Sequence, residues 1–282
     1  MSPYTTLIEV EDVFAHLHHP DWLIVDCRFD LTNPDWGFKD YQQGHIPGSV
    51  YAHLDHDCSA PPTPHTGRHP LPSPQDFADT LERLGISNHS QVVALDTTGG
   101  SFAARFWWML KWLGHSTVAV LNGGWNAWKS AGFPLAQGIE TRPRGKFVPN
   151  PQPDKMITTA EMLNLLKKPE YKIIDARAPE RYRGEFEPLD PVAGHIPGSL
   201  NRFHEKNLAR AGKLKSAEIL RKEFTELIGD TPPHQVIVYC GSGVTSCHHL
   251  LAMEYAGIQG AKLYAGSWSE WIRDLDRPIE VG

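Results

Sequence analysis

One hexapeptide, Gly-His-Ile-Pro-Gly-Ser, occurs twice in this chain, at residues 44–49 and again at residues 194–199. The segments before it repeat as well, because Asp-Cys-Arg at residues 26–28 matches Asp-Ala-Arg at residues 175–177. Self-similarity at a fixed spacing is typical of a structural unit that has been duplicated. The sequence therefore predicts two similar domains in tandem.

The stretch between the two copies is rich in proline and shows little apolar periodicity, as is typical of an extended linker. We therefore predict an N-terminal domain over residues 1–136, a linker over residues 137–155 and a C-terminal domain over residues 156–282. A chain of 282 residues is long enough for two hydrophobic cores of ordinary size.

Within each copy, short β-branched runs alternate with helical apolar patterns. Strands are predicted at residues 23–25, 92–95, 118–121, 173–174, 236–239 and 262–264, and helices at residues 75–84 and 217–228. This alternation predicts an α/β fold, in which each domain has a mainly parallel sheet with helices on both faces. In such sheets, binding sites lie beyond the carboxyl ends of the strands.

Composition and charge argue against two classes of partner. The formal net charge is −6, and no basic run is interleaved with aromatic residues, so a nucleic-acid partner is not expected. The most apolar window, residues 102–114, contains Arg105 and Lys111 and is too short to span a bilayer, and the first residues lack the pattern of a signal peptide. We expect a soluble, cytoplasmic protein without a membrane partner, whose four cysteines are free thiols.

Cys240 stands where a predicted strand ends and a predicted helix is about to begin. The loop that follows it consists of Gly241, Ser242, Gly243, Val244 and Thr245. Such a loop can turn backbone N–H groups toward an anion, and the amino end of the helix adds positive potential, so both favour a thiolate. We predict that Cys240 is a nucleophile and that the loop residues contact its substrate; the alternative is a small buried residue that ends a strand.

The other cysteines and the fifteen histidines have less distinctive surroundings. Cys247 lies two turns into the predicted helix, where packing is expected and a redox role is the alternative, while Cys27 and Cys58 lack a glycine-rich loop and are predicted to be structural. No spaced pair of Cys and His dyads has the form of a structural zinc site, so we predict no metal and no cofactor. Asp96 stands in the first copy where Cys240 stands in the second, which predicts a single catalytic domain.

Taken together, the repeated Asp-x-Arg and Gly-His-Ile-Pro-Gly segments, the strand that ends in cysteine and the late Gly-Gly-Trp and Gly-Ser-Trp segments resemble the two-domain rhodanese-type sulfurtransferases. The resemblance extends from about residue 7 to residue 279. It implies two tandem rhodanese-like domains, and a cysteine that takes sulfane sulfur from a small donor, becomes a persulfide and passes the sulfur to cyanide or a thiol. A thioredoxin-like protein is one candidate thiol acceptor.

The loop Cys-Gly-Ser-Gly-Val-Thr is similar to that of family members that use 3-mercaptopyruvate, whereas members that prefer thiosulfate carry basic residues directly after the cysteine. Both donors remain open, as do a thiosulfate-specific enzyme and a non-enzymatic persulfide carrier or regulatory module. The resemblance implies that Arg181 binds the carboxylate of the donor. A second arginine that such members carry shortly before the Gly-His-Ile-Pro-Gly histidine is absent, and Arg183 or Arg105 is the candidate to replace it.

The resemblance also implies a proton relay beside the cysteine. Residues 54–72 are similar to a loop that brings an aspartate and a histidine to the cysteine and serine; His69 matches the histidine, Asp55 the aspartate and Ser242 the serine. The alternative for His69 is a solvent-exposed loop histidine. A cysteine phosphatase is disfavoured, because its loop would end in an oxyanion-binding arginine and Ser246 stands at that place.

Overall fold

The computed structural model describes residues 3–282 and groups them into two compact units. Unit 1 consists of residues 3–60, 71–152 and 209–214, and unit 2 consists of residues 61–70, 153–208 and 215–282. Ten residues from the first half of the sequence therefore belong to unit 2. The domain boundaries predicted at residues 136 and 156 divide the chain by its two sequence repeats, and they stay a prediction.

Unit 1 contains a five-stranded parallel sheet flanked by helices. Its strands are β1 (Leu7–Ile8), β2 (Trp22–Asp26), β3 (Val50–Tyr51), β4 (Gln91–Leu95) and β5 (Val118–Leu121). Its helices are α1 (Val10–Ala15), α2 (Trp36–Gln43), α3 (Leu54–Asp57), α4 (Pro74–Arg83), α5 (Ala103–Trp112) and α6 (Gly124–Ser130). The strand order is β1-β5-β4-β2-β3. Every residue of β4 and β5 is buried, as a sheet covered on both faces requires.

Unit 2 repeats this architecture. Its strands are β6 (Met156–Ile157), β7 (Lys172–Asp175), β8 (Leu200–Asn201), β9 (Val236–Tyr239) and β10 (Lys262–Tyr264). Its helices are α7 (Thr159–Leu165), α8 (Pro179–Tyr182), α9 (Ala217–Ile228), α10 (Ser246–Tyr255) and α11 (Ser267–Trp271). The strand order is β6-β10-β9-β7-β8, and all pairings are parallel. The predicted α/β fold class with two tandem parallel-sheet domains is confirmed.

The sequence repeats correspond to a buried ion pair in each unit. Arg28 donates to the carboxylate of Asp26 and to the carbonyl of Gly44 at 2.7 Å, and its guanidinium lies 4.7 Å from the centre of the Trp125 ring. Because the arginine is fully buried, these partners replace the water that its charge would otherwise need. The Asp-x-Arg, Gly-His and Gly-Gly-Trp segments are therefore one structural device.

The second copy of this device has nearly the same dimensions. Arg177 donates to Asp175 and, at 2.6 Å, to the carbonyl of Gly194, and it lies 4.8 Å from the centre of the Trp268 ring. In the adjoining turn, the His195 ring is stacked on Tyr182 and its Nδ1 lies 2.7 Å from the carbonyl oxygen of that tyrosine. The device fixes the turn against the carboxyl end of β7, next to which β9 lies.

Among the helices of residues 3–282, none is both long enough and apolar enough for a membrane span. The apolar window that contains Arg105 forms α5, which has only ten residues, nine of them buried.

Candidate active site

Cys240 directly follows β9, and five loop residues separate it from α10. Its backbone N–H donates to Ser267 Oγ at 3.1 Å, and the same hydroxyl donates to the carbonyl of Tyr264 at 2.9 Å. Ser267 has a φ of 53°, which is unusual for a residue with a side chain. This serine therefore ties the end of β9 to the end of β10 and fixes where the cysteine begins its turn.

The loop lowers the pKa of Cys240 although the side chain is only 2% exposed. Burial raises the pKa of this thiol, but the hydroxyls of Ser246 and Thr245 and the backbone groups of Ser242 and Ser246 outweigh it and hold the pKa below its ordinary value. The Ser246 hydroxyl is buried and has no hydrogen-bond partner within residues 3–282, so no other polar group competes with the sulfur for it. The arrangement favours a thiolate.

Gly243 is required by the close approach of the loop to the chain after β10. Its φ is +77°, and a Cβ atom at this position would lie 2.2 Å from the carbonyl oxygen of Ala265. Two backbone hydrogen bonds hold the same part of the loop: Trp268 donates to the carbonyl of Cys240 at 3.0 Å, and Ser269 donates to that of Gly241 at 2.8 Å. The loop is thus fixed before any substrate arrives.

Ser242 and His69 form a hydrogen-bonded pair in the loop after the cysteine. Ser242 Oγ lies 2.7 Å from His69 Nδ1, and both side chains are less than 8% exposed. His69 is therefore not the solvent-exposed loop histidine that was the alternative. A hydroxyl and an imidazole at this distance can exchange a proton.

The segment that carries His69 is attached to the rest of unit 2 by contacts at Thr66, Gly67 and Arg68. A Cβ atom on Gly67 would lie 2.7 Å from the carbonyl oxygen of Gly266, which shows how closely the two backbones approach. The backbone N–H of Arg68 donates to Ser269 Oγ at 3.1 Å, and Arg273 Nε donates to the carbonyl of Thr66 at 3.0 Å. These contacts hold Arg68 and His69 in unit 2.

Arg181 lies at the end of α8 as part of a chain of alternating charges. Its Nε and Nη2 bind both oxygens of Glu187, at 2.7 to 3.1 Å, and its Nη2 also lies 3.3 Å from Asp190. Glu187 accepts as well from Arg177, at 3.3 Å. Burial raises the pKa of Glu187, but the hydrogen bonds and charge of Arg181 reverse this effect, and the pKa lies below its ordinary value. Arg181 is thus held rigidly, with 15% of its side chain exposed.

Three other residues that the sequence predicted for the site have contacts that differ from those of His69 and Arg181. Arg183 is 44% exposed and forms an ion pair with Glu185 at 2.7 Å. Asp55 and Arg105 belong to unit 1, where Asp55 lies in α3 and Arg105 in α5, with Arg105 Nη2 donating to the carbonyl of Cys58 at 3.3 Å. Their roles toward the cysteine stay predictions.

In unit 1 the equivalent loop already holds an anion, the carboxylate of Asp96. One oxygen accepts the backbone N–H groups of Thr98 and Gly100 at 2.8 and 2.9 Å, and the other accepts those of Phe102 and Ala103 at 2.8 and 3.0 Å. Asp96 is fully buried. The side chain that replaces the cysteine therefore satisfies the loop's own donors.

Several residues of this region were not singled out from the sequence: Arg68, Glu187, Asp190 and Ser267. Arg68 stands next to His69 in Thr-Gly-Arg-His-Pro-Leu-Pro, so its place beside the predicted relay histidine was the available signal. The acidic pair lies in the segment Glu-Phe-Glu-Pro-Leu-Asp-Pro, which has no repeat or motif that would indicate its contacts with arginine. The Gly-Ser-Trp repeat marked the serine without revealing its hydrogen bonds.

The comparisons with known proteins agree with this architecture. A model of the rhodanese-like domain matches residues 9–131 and 158–274. The chain is 45% identical to a probable 3-mercaptopyruvate sulfurtransferase of Pseudomonas aeruginosa over 98% of both chains, and 37% identical to the putative thiosulfate sulfurtransferase SseB of Mycobacterium tuberculosis over 92% of this chain and 90% of the other. The crystal structure of SseA from Escherichia coli, described as a 3-mercaptopyruvate sulfotransferase of the rhodanese fold, is similar with a TM-score of 0.82 and 32% identity, covering 95% of this chain and 100% of that one.

Proposed function

Since this chain belongs to the rhodanese family and is a sulfurtransferase, we propose that Cys240 takes a sulfur atom from 3-mercaptopyruvate and passes it on through a persulfide. The observation that carries the choice of donor is the 2.7 Å contact between Ser242 Oγ and His69 Nδ1. It provides a proton relay in the loop that follows the cysteine. The name of the Pseudomonas relative supports the same donor.

The reaction with mercaptopyruvate needs such a relay. The Cys240 thiolate attacks the sulfur of the donor; the new S–S bond forms as the C–S bond breaks, and the electron pair of that bond remains on the carbon as the enolate of pyruvate. The proton of the donor's thiol must leave the sulfur, and one proton must reach that carbon. Ser242 and His69 would carry this proton, so that the products are a deprotonated Cys240 persulfide and pyruvate.

Thiosulfate is the second candidate donor, favoured by the name of the Mycobacterium relative. Its transfer leaves sulfite and moves no proton, so the relay would contribute little. Mercaptopyruvate is therefore the donor that the polar groups of this loop suit better.

In the second half-reaction, an acceptor thiolate or cyanide attacks the outer sulfur of the persulfide and regenerates the Cys240 thiolate. A thioredoxin-like protein is one candidate for the thiol acceptor. A cytoplasmic location also stays part of the proposal.

Intact-mass spectrometry tests the persulfide. The protein incubated with mercaptopyruvate and no acceptor should gain the mass of one sulfur atom, and Cys240→Ser should gain none. Cys247→Ser is the matched control, because its thiol is also buried and donates to the carbonyl of Gly243 at 3.4 Å, and it should still gain the sulfur. A wild-type protein that stays unmodified by either donor would overturn the proposed function.

Steady-state kinetics with both donors then test the relay. His69→Gln should lower kcat/KM for mercaptopyruvate by about a hundredfold or more, because general acid–base catalysis typically contributes that much. The same variant should change kcat/KM for thiosulfate far less. Equal losses with the two donors would contradict the assignment of His69 as a proton relay.

A further inference from the structure

We propose that Arg68 is the second guanidinium group, beside Arg181, that binds the carboxylate of the sulfur donor. This inference rests on the proposed function and names a residue of its donor site. The segment in which the family resemblance implies a second arginine, residues 187–198, contains none, and it supplies Glu187 and Asp190 instead.

Arg68 and Arg181 converge on the residue that follows the cysteine. A Cβ atom added to Gly241 would lie 2.9 Å from Arg68 Nη2, 3.4 Å from Arg181 Nη2 and 3.7 Å from Arg181 Nη1. Two cationic groups therefore approach the backbone directly after Cys240, within reach of a small donor held at its sulfur. Any larger residue at Gly241 would occupy this space.

Asp190 allows the two positive charges to lie so close together. Its Oδ1 accepts from Arg68 Nη1 and its Oδ2 lies 3.3 Å from Arg181 Nη2, so one carboxylate bridges both arginines. Asp190 is 9% exposed, and Glu187 binds the other side of Arg181. The two carboxylates thus fix the guanidinium groups in place, and their negative charges offset the repulsion between the two arginines before a substrate binds.

Each arginine keeps N–H groups for a further anion. Arg68 uses Nη1 for Asp190, whereas Arg181 uses Nε and Nη2 for its two carboxylates. Across residues 3–282, neither Arg68 Nη2 nor Arg181 Nη1 forms a side-chain hydrogen bond, and these two nitrogens lie near Gly241. A carboxylate can accept from two guanidinium groups at once, because it has two oxygens and about four acceptor sites.

Arg68 is adjacent in sequence to the predicted relay histidine. It precedes His69 in the segment 61–70, so one short piece of chain carries both the carboxylate anchor and the relay histidine. Arg183 is one of the two arginines that the sequence suggested in place of the missing one, and it forms a surface ion pair with Glu185.

Kinetics of Arg68→Ala and Arg144→Ala test the assignment. Arg144 is the matched control, because it is a surface arginine of unit 1, 59% exposed, that also pairs with a single carboxylate, Glu82 at 2.8 Å. Arg68→Ala should raise KM for mercaptopyruvate by about tenfold to a hundredfold, as expected for the loss of a charge-assisted contact, with a small change in kcat. Arg144→Ala should behave as the wild type. A KM for Arg68→Ala that equals that of Arg144→Ala would overturn the proposal.

Alkylation of Cys240 gives a second readout that does not depend on which donor the enzyme uses. Iodoacetate is a carboxylate and iodoacetamide is its neutral analogue, so the ratio of their rate constants reports the positive charge beside the thiolate. Arg68→Ala should lower this ratio at least about threefold, and Arg68→Lys should lower it less, because lysine keeps the charge without the planar fork.

The iodoacetamide rate constant alone serves as the control for folding, since a collapsed loop would change it in Arg68→Ala. An unchanged iodoacetate to iodoacetamide ratio in a variant that still forms the Cys240 persulfide would overturn the role of Arg68 and leave the proposed function intact. Failure of the wild type to form a persulfide would instead remove the proposed function, and the ratio would still decide whether Arg68 acts on anions near Cys240.

Discussion

Replacing Ser246 by alanine tests whether the loop after β9 stabilises the Cys240 thiolate. Burial raises the pKa of this thiol, and the Ser246 hydroxyl is foremost among the groups that lower it. The hydroxyl is buried and makes no regular hydrogen bond to another atom in the described part of the chain. Its removal therefore acts on the sulfur and leaves no other group without a partner.

The expected decrease in the thiolate fraction follows from the strength of one hydrogen bond to the charged sulfur. Two hydroxyls and two backbone groups lower the pKa of Cys240, and a hydrogen bond to a charged group contributes about 1.5 to 3 kcal/mol. Losing one of them should reduce the thiolate fraction about tenfold or more at any pH below the pKa of Cys240. Because iodoacetamide reacts with the thiolate, the midpoint of the rate profile between about pH 5 and pH 10 should move to higher pH.

Ser199→Ala is the matched control, because Ser199 is also a buried serine of unit 2 but its Oγ bonds to the Tyr239 hydroxyl at 3.1 Å. Its alkylation profile should coincide with that of the wild type. A Ser246→Ala profile identical to that of Ser199→Ala would refute the reasoning, since the hydroxyl would then make no contribution to the charge of the sulfur.

Three further substitutions have defined outcomes. Asp96→Ala leaves four backbone N–H groups of unit 1 without their carboxylate, so urea unfolding should show a loss of about 3 kcal/mol or more; a loss below about 1 kcal/mol would contradict this. Gly243→Ala should abolish sulfur transfer, because its Cβ would meet a carbonyl oxygen at 2.2 Å, whereas Gly198→Ala has a similar φ of +71° with open space around it and should stay active; equal losses would contradict the steric argument. Arg177→Lys should lower the thermal unfolding midpoint measurably, since lysine cannot replace a bidentate and ring-stacked guanidinium; an unchanged midpoint would show that charge alone suffices.

The central strands of both sheets could be predicted because each is a run of apolar residues. Residues 92–95 and 236–239, chosen from the sequence, lie in β4 and β9 as observed. The four edge strands, β1, β3, β6 and β8, were missed, since each has only two residues and therefore no periodicity to detect. The helix predicted at residues 75–84 begins one residue earlier, at Pro74, where Ser73 accepts the N–H of Asp76 as the cap.

The geometry around the cysteine could be predicted only in part. The glycine-rich loop indicated an anion-stabilising turn from local sequence alone, because strand, loop and helix are contiguous. Arg68 and Asp190 are 122 positions apart, and no local pattern indicates that they meet. The hydroxyl of Ser267, which fixes the start of the turn, depends on an unusual backbone conformation that Gly-Ser-Trp does not reveal.

The assignment of residues 61–70 to unit 2 limits how the two repeats can be separated by evolution or by cloning. A polypeptide that starts at residue 153 would inherit Cys240 and its turn, yet it would lack both His69 and Arg68. A gene rearrangement that moved the second repeat by itself would therefore produce a protein that has Cys240 but lacks these two residues. Ten residues encoded within the first repeat are therefore part of the structure of unit 2.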